Sequence, residues 1–288
     1  MEWVNIILQG ALLGGLYALF AAGLALMFGI MRLVNIAHGD LIVLSAYCAL
    51  VIVQASGMPA LLSLVLVVPA MFAFGYALQR GLLNFTLGHD ILPPLLVTFG
   101  LSVIIQNALL EGFSADSRRL QAGALETASL QIGHQLAIGW LPAIVFIAAV
   151  LVIAALELLL YRTALGRAFR ATSDDAQTAQ LYGVEVRHVF ALATALALAV
   201  ASIAGVLLAI RTNFDPTIGP ARLLYAFEAV IIGGLGSLWG TLAGGIILGV
   251  AQSLGAALDP GWEILAGHLA FLLVLVLRPR GLFPKLAD

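Results

Sequence analysis

Apolar residues run along the chain in long blocks, and the charged residues fall almost entirely between them. Trp3 to Met31 is 29 residues with no Asp, Glu, Lys or Arg, and Leu41 to Gln79 is 39. Further charge-free runs cover Ile91–Leu110, Thr127–Leu156, His188–Ile210, Ala229–Leu258 and Ile264–Leu277. A helix crosses about 30 Å of hydrocarbon with roughly 20 residues. Most runs therefore hold one crossing, and Leu41–Gln79 holds two, divided at Gly57-Met58-Pro59. None alternates with the period of a barrel strand. A backbone in lipid must satisfy its own hydrogen bonds, so the runs are helices. The pattern predicts an all-α, polytopic integral membrane protein, a single transmembrane domain over 1–288 with about eight membrane helices. The spans fall near 4–30, 40–54, 60–80, 91–110, 138–160, 189–210, 222–257 and 262–277.

Two places interrupt this pattern. Around 35–40, Asn35-Ile36-Ala37-His38-Gly39-Asp40 sets polar side chains between two apolar runs. It reads either as a plain turn or as a broken helix whose loose backbone and side chains face a translocation path. Around 233–237, Gly233-Gly234-Leu235-Gly236-Ser237 is a poor helix interior. The stretch 222–257 is then either one long crossing or a half-helix followed by a returning helix.

Charge separates these arrangements, because cytoplasmic loops collect Lys and Arg. With the 161–188 loop inside and 222–257 split, nine cations lie inside (Arg32, Arg80, Arg162, Arg167, Arg170, Arg187, Arg278, Arg280, Lys285) and four outside (Arg118, Arg119, Arg211, Arg222). A single crossing would change this to six against seven. The split arrangement is preferred. It places the N-terminus and the polar 111–137 loop outside, in the periplasm, and the C-terminus inside. The first apolar run is too long, and too acidic at Glu2, for a cleavable signal peptide.

Composition agrees. Apolar residues make up 62% and charged residues 10% of the chain, against roughly 45–50% and 25% in soluble domains. A soluble enzyme is excluded. The net charge of −2 leaves no basic excess for nucleic acid. Cys48 is the sole cysteine, so no internal disulfide forms. There is no phosphate-binding loop, no His-Glu-x-x-His and no Gly-x-Ser-x-Gly, so a nucleotide pocket, a metal or cofactor site and a hydrolase set are not expected. His38 with Asp40 is too few ligands for a metal.

The loop from Arg162 to Val184 is long and helix-prone. Ala168, Thr172, Ala176, Ala179 and Gly183 fall on one stripe at helical spacing, which suits close approach of a partner. Gly166, Arg167, Arg170, Ala171, Asp174 and Asp175 flank it. Gly10-x-x-x-Gly14, Gly236-x-x-x-Gly240, Gly240-x-x-x-Gly244 and Gly245-x-x-x-Gly249 fit close helix packing. Among ionisable residues within spans, Glu157 sits near a helix end, Glu228 lies in the short segment before the glycines, and His268 is mid-span. Gln106 and Asn107 suit bonds between helices.

The stretch Phe28-Gly29-Ile30-Met31-Arg32-Leu33-Val34-Asn35-Ile36-Ala37-His38-Gly39-Asp40 resembles the signature of the high-affinity branched-chain amino acid ABC transporter permeases, the LivH-type subunit most closely. The resemblance continues at Thr163–Ala171, Tyr182-Gly183-Val184, Ile232–Gly240 and Leu277–Phe283, and so covers nearly the whole chain. Where permeases of the wider class carry Glu-Ala-Ala-x-x-x-Gly, this chain has Gln177-Thr178-Ala179-Gln180-Leu181-Tyr182-Gly183.

The resemblance implies a non-catalytic inner-membrane import subunit. It would pair with a homologous second permease, two cytoplasmic ATPases and a periplasmic binding protein. The 161–188 loop would be its coupling segment. Asn35, His38, Gly39, Asp40, Glu228, Gly233, Gly234, Gly236 and Ser237 are the candidates for the translocation path. Sister permeases that look similar carry urea, short amides or aromatic acids. A reading from a different class makes the chain an ion-coupled secondary transporter using Asp40, Glu157 or Glu228.

Overall fold

The computed structural model describes residues 2–87, 92–132 and 136–283. Ile91, where one expected span begins, and Lys285, counted among the inner cations, lie outside the described residues.

Helix α1 (Glu2–Met31) is apolar on every side, and such a helix belongs in a core. From Leu16 to Met27 nearly every residue is buried. Helix α9 (Val186–Arg211) is its counterpart, with a small-residue run from Ala191 to Ala204 that is buried almost throughout. Around this pair stand α2 (His38–Ser56), α3 (Leu64–Gly81), α4 (Leu92–Phe113) and α6 (Trp140–Arg162). A four-residue turn, α5 (Ala124–Thr127), lies between α4 and α6. A small antiparallel hairpin follows it, β1 (Ser129–Ile132) paired with β2 (Leu136–Gly139), with Ser129 opposite Gly139. The amphipathic α7 (Ala164–Asp174) and the short α8 (Ala176–Leu181) lead into α9. The chain ends with α10 (Gly219–Gly233), α11 (Leu238–Leu258) and α12 (Glu263–Leu277). Large apolar side chains such as Val65, Phe99, Ile147 and Leu273 stand exposed on the outer helices, where lipid covers them.

Among the described residues, eight helical stretches are long and apolar enough to cross a membrane. Helix α10 is not one of them. Its 15 residues rise about 22 Å, short of the roughly 30 Å of hydrocarbon. It is a half-helix that stops at Gly234 (φ 103°), and α11 returns along it. The 222–257 stretch is thus two opposed segments. Helix α2 is also displaced from the end of α1. Arg32 (φ 52°) ends α1, and α2 restarts only at His38, whose ring reaches the carbonyl of Phe20 in the middle of α1.

The contact between α1 and α11 joins two of the glycine pairs. A Cβ on Gly14 would sit 2.5 Å from the carbonyl oxygen of Gly245, and one on Gly245 would sit 2.8 Å from the amide nitrogen of Ala18. The two backbones touch directly, which is the use of small residues in membrane helices. Gly245→Leu is expected to destabilise the fold by about 3 kcal/mol, because the neighbour to be displaced is backbone. Melting in detergent should fall by about 5–10 °C. Gly100→Leu, at a position with open space around it, should leave the melting temperature unchanged.

Candidate translocation site and coupling surface

The segment 32–37 folds back into the bundle because its polar groups are internally tied. Asn35 Oδ1 accepts from the Ala37 amide (3.0 Å), and the Asn35 carbonyl accepts from the His38 amide (3.1 Å). Thr98 Oγ1 of α4 accepts from the Ile36 amide (3.3 Å). His38 is fully buried, with Nε2 bonded to the Phe20 carbonyl at 2.9 Å. This places the first turn of α2 deep between α1, α4 and α10.

Two helix N-termini meet there. Gly39 and Gly219 pack backbone to backbone, so that a Cβ on Gly39 would lie 2.9 Å from the amide nitrogen of Leu223. Asp40 sits in the first turn of α2, against Gly219 at the start of α10. An anion is favoured at such an end, and here two ends converge. Its carboxylate accepts from Ser102 Oγ (2.6 Å) and Gln106 Nε2 (3.0 Å), both of α4. Asp40 is 1% exposed, so this polar junction is closed to solvent in the present conformation.

Glu228 lies further along α10. It meets His268 of α12 at 2.5 Å from Nδ1, and Tyr225 stacks on the same imidazole with ring centres 6.4 Å apart. Tyr225 also packs on Tyr17 of α1 at 5.0 Å, and the Tyr17 hydroxyl donates to Gln252 of α11. Glu228 lies nine positions on from Gly219 in α10, about 13 Å of rise. The two carboxylates therefore form separate junctions on one short helix.

Gly233, Gly234, Gly236 and Ser237 lie at a third level, at the far end of α10. Ser237 Oγ caps α11 by accepting from the Gly240 amide at 3.1 Å. The C-terminal segment closes over this turn. The amides of Leu282 and Phe283 donate to the carbonyls of Ile232 and Gly233, both at 2.9 Å. Gly29, near the end of α1, lies against Gly236. The residues expected along one path are thus spread over the length of α10. Asn35, His38, Gly39 and Asp40 gather at its start, Glu228 in its middle, and the glycines at its end.

The 161–188 loop packs on that same end. Thr163 Oγ1 caps α7 by accepting from Gly166 (3.0 Å). Gly166, Phe169 and Thr172 face inward. Arg170 Nη1 donates to the Leu160 carbonyl, and Ser173 Oγ donates to the Gly29 carbonyl at 2.6 Å. A cleft of about 230 Å³ remains between α7 and the bundle, lined by Leu26, Gly29, Phe169, Arg170, Ser173 and Gly236 among others. Asp175 interrupts the helix and caps α8, accepting from the amides of Gln177 (2.9 Å) and Thr178 (3.1 Å). The Thr178 hydroxyl bond, aided by these amides, holds the Asp175 carboxyl below the usual carboxylate range. Glu185 is held low in the same way by Arg80, at 2.7 Å.

This break changes the expected stripe. Thr172 and Ala179 are buried against the chain's own helices, while Ala168 and Ala176 are half-covered. Two residues of the stripe thus pack on the chain's own bundle, while Gly183 stands exposed. Outward stand Arg167, Ala171, Asp174 and Asp175, and beyond them Leu181 (87% exposed) and Tyr182 (85%). Gly183 follows with φ 86°. The outward apolar pair was not among the expected site residues, although an apolar pair just before a glycine in a polar loop was a visible signal. Ser102 was likewise missed, and Gln106 was seen only as a possible link between helices. Asn107, expected in that role too, instead bonds back to Val103 of its own helix (2.8 Å).

The family model described as "Branched-chain amino acid transport system / permease component" matches residues 6–277. The permease protein BraD of a high-affinity branched-chain amino acid transport system in Pseudomonas aeruginosa is 32% identical, over 99% of this chain and 96% of its own. The corresponding LivH protein of Escherichia coli is 30% identical, over 96% and 94%. The fructose import permease FrcC of Rhizobium meliloti is 33% identical over a shorter stretch, 64% of this chain and 55% of its own.

The lowered Asp175 pKa sets a direction for pH. A carboxyl held low in the fold contributes stability above its unfolded pKa, and that contribution is lost as pH falls through the folded value. Hydrogen-exchange protection of the Gln177 and Thr178 amides should therefore be full above the ordinary carboxylate range and fall progressively as pH drops from there through the lower folded value. In Asp175→Asn the protection should no longer depend on pH in that region.

Proposed function

The chain belongs to the family of permease components of branched-chain amino acid transport systems, and from that membership we propose an ATP-driven importer subunit that carries leucine, isoleucine or valine across a bacterial inner membrane. The multi-pass helical fold fits a membrane permease. The chain has no phosphate-binding loop of its own, so the energy must arrive through a surface. A homologous second permease, two cytoplasmic ATPases and a periplasmic binding protein complete the assembly in this reading.

One observation carries it. The Leu181–Tyr182 turn projects from the bundle, yet its segment is braced on the translocating helices through Ser173 and Gly29, beside the α10–α11 turn. A push on α8 therefore reaches α1 through α7, beside the turn that follows the half-helix α10. Exposed leucine and tyrosine suit an apolar groove on an ATPase, where buried aromatic anchors dominate binding. At the other end of α10, the closed junction at Asp40 is where two helix ends and α4 side chains would part to admit a zwitterion. With α8 inside, the N-terminus faces the periplasm and the C-terminal segment the cytoplasm.

The double change Leu181→Ser with Tyr182→Ser should leave the protein in the membrane and its melting temperature unaltered, because both side chains are exposed. ATPase co-purification should weaken more than tenfold. Retention of the ATPases at wild-type level would refute the docking assignment. Orientation is checked by labelling. With Cys48→Ala as background, Thr178→Cys should react with an impermeant maleimide in inside-out vesicles, and Asp116→Cys only in right-side-out ones. The reverse pattern would overturn the topology.

A further inference from the structure

The face of the bundle opposite α7 holds a charge arrangement that the packing does not explain. Arg211 is the last residue of α9, and Arg222 lies in the first turn of α10. Both are half-buried. Arg211 Nη1 and Arg222 Nε are fully buried donors with no hydrogen-bond partner. Among the described residues no carboxylate lies within ion-pair distance of either. Arg80, Arg118 and Arg119, by contrast, are each paired, with Glu185, Asp116 and Glu126.

The two guanidinium groups share one neighbourhood. Both lie within electrostatic range of the Tyr17 hydroxyl. Arg222 stands 5.9 Å from the Tyr225 ring centre, and that ring is 5.0 Å from the ring of Tyr17. Asp215 and Glu263 also reach this region electrostatically but make no contact. Taking cationic donors from water without a partner is costly. Two such residues within reach of one tyrosine hydroxyl, one of them over a tyrosine face that tolerates a cation, leave positive charge awaiting an anion. The planar fork of arginine matches a carboxylate in geometry.

We propose that Arg211 and Arg222 form a receiving site for the carboxylate of the amino acid cargo on the periplasmic side of α10. This rests on the importer reading above. The side chains then serve a cargo in transit, which explains why no resident acid neutralises them. The Glu228–His268 junction lies a turn or two further along the same helix, on the way inward.

The test uses the purified transporter with its ATPases, without the binding protein, and saturation-transfer NMR with three probes. Leucine and 4-methylpentanoate carry the carboxylate; isoamylamine carries only the ammonium. Leucine and 4-methylpentanoate should give signals and compete with each other, and isoamylamine should not. Arg211→Gln with Arg222→Gln should weaken both signals at least tenfold, while the corresponding Lys pair retains part of them. Equal melting temperatures of the Gln and Lys pairs would show that the loss is not unfolding. Isoamylamine binding as well as leucine, or Gln variants that bind leucine normally, would overturn the proposal. So would Gln variants that lose only docking of the binding protein, since the anion would then be a partner's acidic side chain. Failure of the importer reading itself would appear separately, as absent leucine uptake by the wild-type complex in proteoliposomes whatever the NMR shows.

Discussion

The structure depends on burying interrupted helices in a medium that offers no water to their ends. Each break exposes amide and carbonyl groups that lipid cannot satisfy, so irregular backbone survives only under protein cover. Here the cover is backbone laid on backbone. Gly39 lies against Gly219, and the segment around Leu282 bonds to the last carbonyls of α10. Without side chains in the way, neighbouring helices approach closely enough to seal the broken ends.

That constraint also shapes the transport machinery. A half-helix that starts at one polar junction and ends at a glycine turn has two distinct handles. Its N-terminal end meets Asp40, Ser102 and Gln106, and its C-terminal end meets Gly29 and the C-terminal segment. Helix α7 bonds to Gly29 of α1, which lies beside the second. A rigid rod about 22 Å long links the two ends, which suits the rocking transition between discrete packings that the proposed importer requires. The stacked column of Tyr17, Tyr225 and His268 runs beside the rod and ties it to α1 and α12.

Parts of the candidate site were readable because their signals are local. Asn35 to Asp40 breaks two apolar runs, and three glycines in four residues break a third, so both interruptions stand out in a linear reading. The stripe of small residues in the 161–188 loop stands out for the same reason, but its division between two helices does not. Its helical spacing assumes one helix, but Asp175 (φ −153°) ends α7 and starts α8, so Thr172 and Ala179 turn toward the bundle while Gly183 stays exposed. Nothing local marks the pairing of Asp40 with residues of α4 more than sixty positions away, nor of Glu228 with His268 forty positions on. Such partners depend on which helices stand side by side.

The sequence by itself determined that this is a helical membrane protein, because hydropathy and the demands of backbone hydrogen bonding are properties of each segment alone. It also carried enough likeness, spread from Phe28 to Phe283, to mark the family. Only the tertiary structure decided which glycine pairs meet and at what depth each polar residue sits. It alone decided which side of the coupling segment faces outward, and which arginines go unpaired. Those outcomes follow from the crossing of helices distant in the chain, and distance along a sequence holds no record of distance in space.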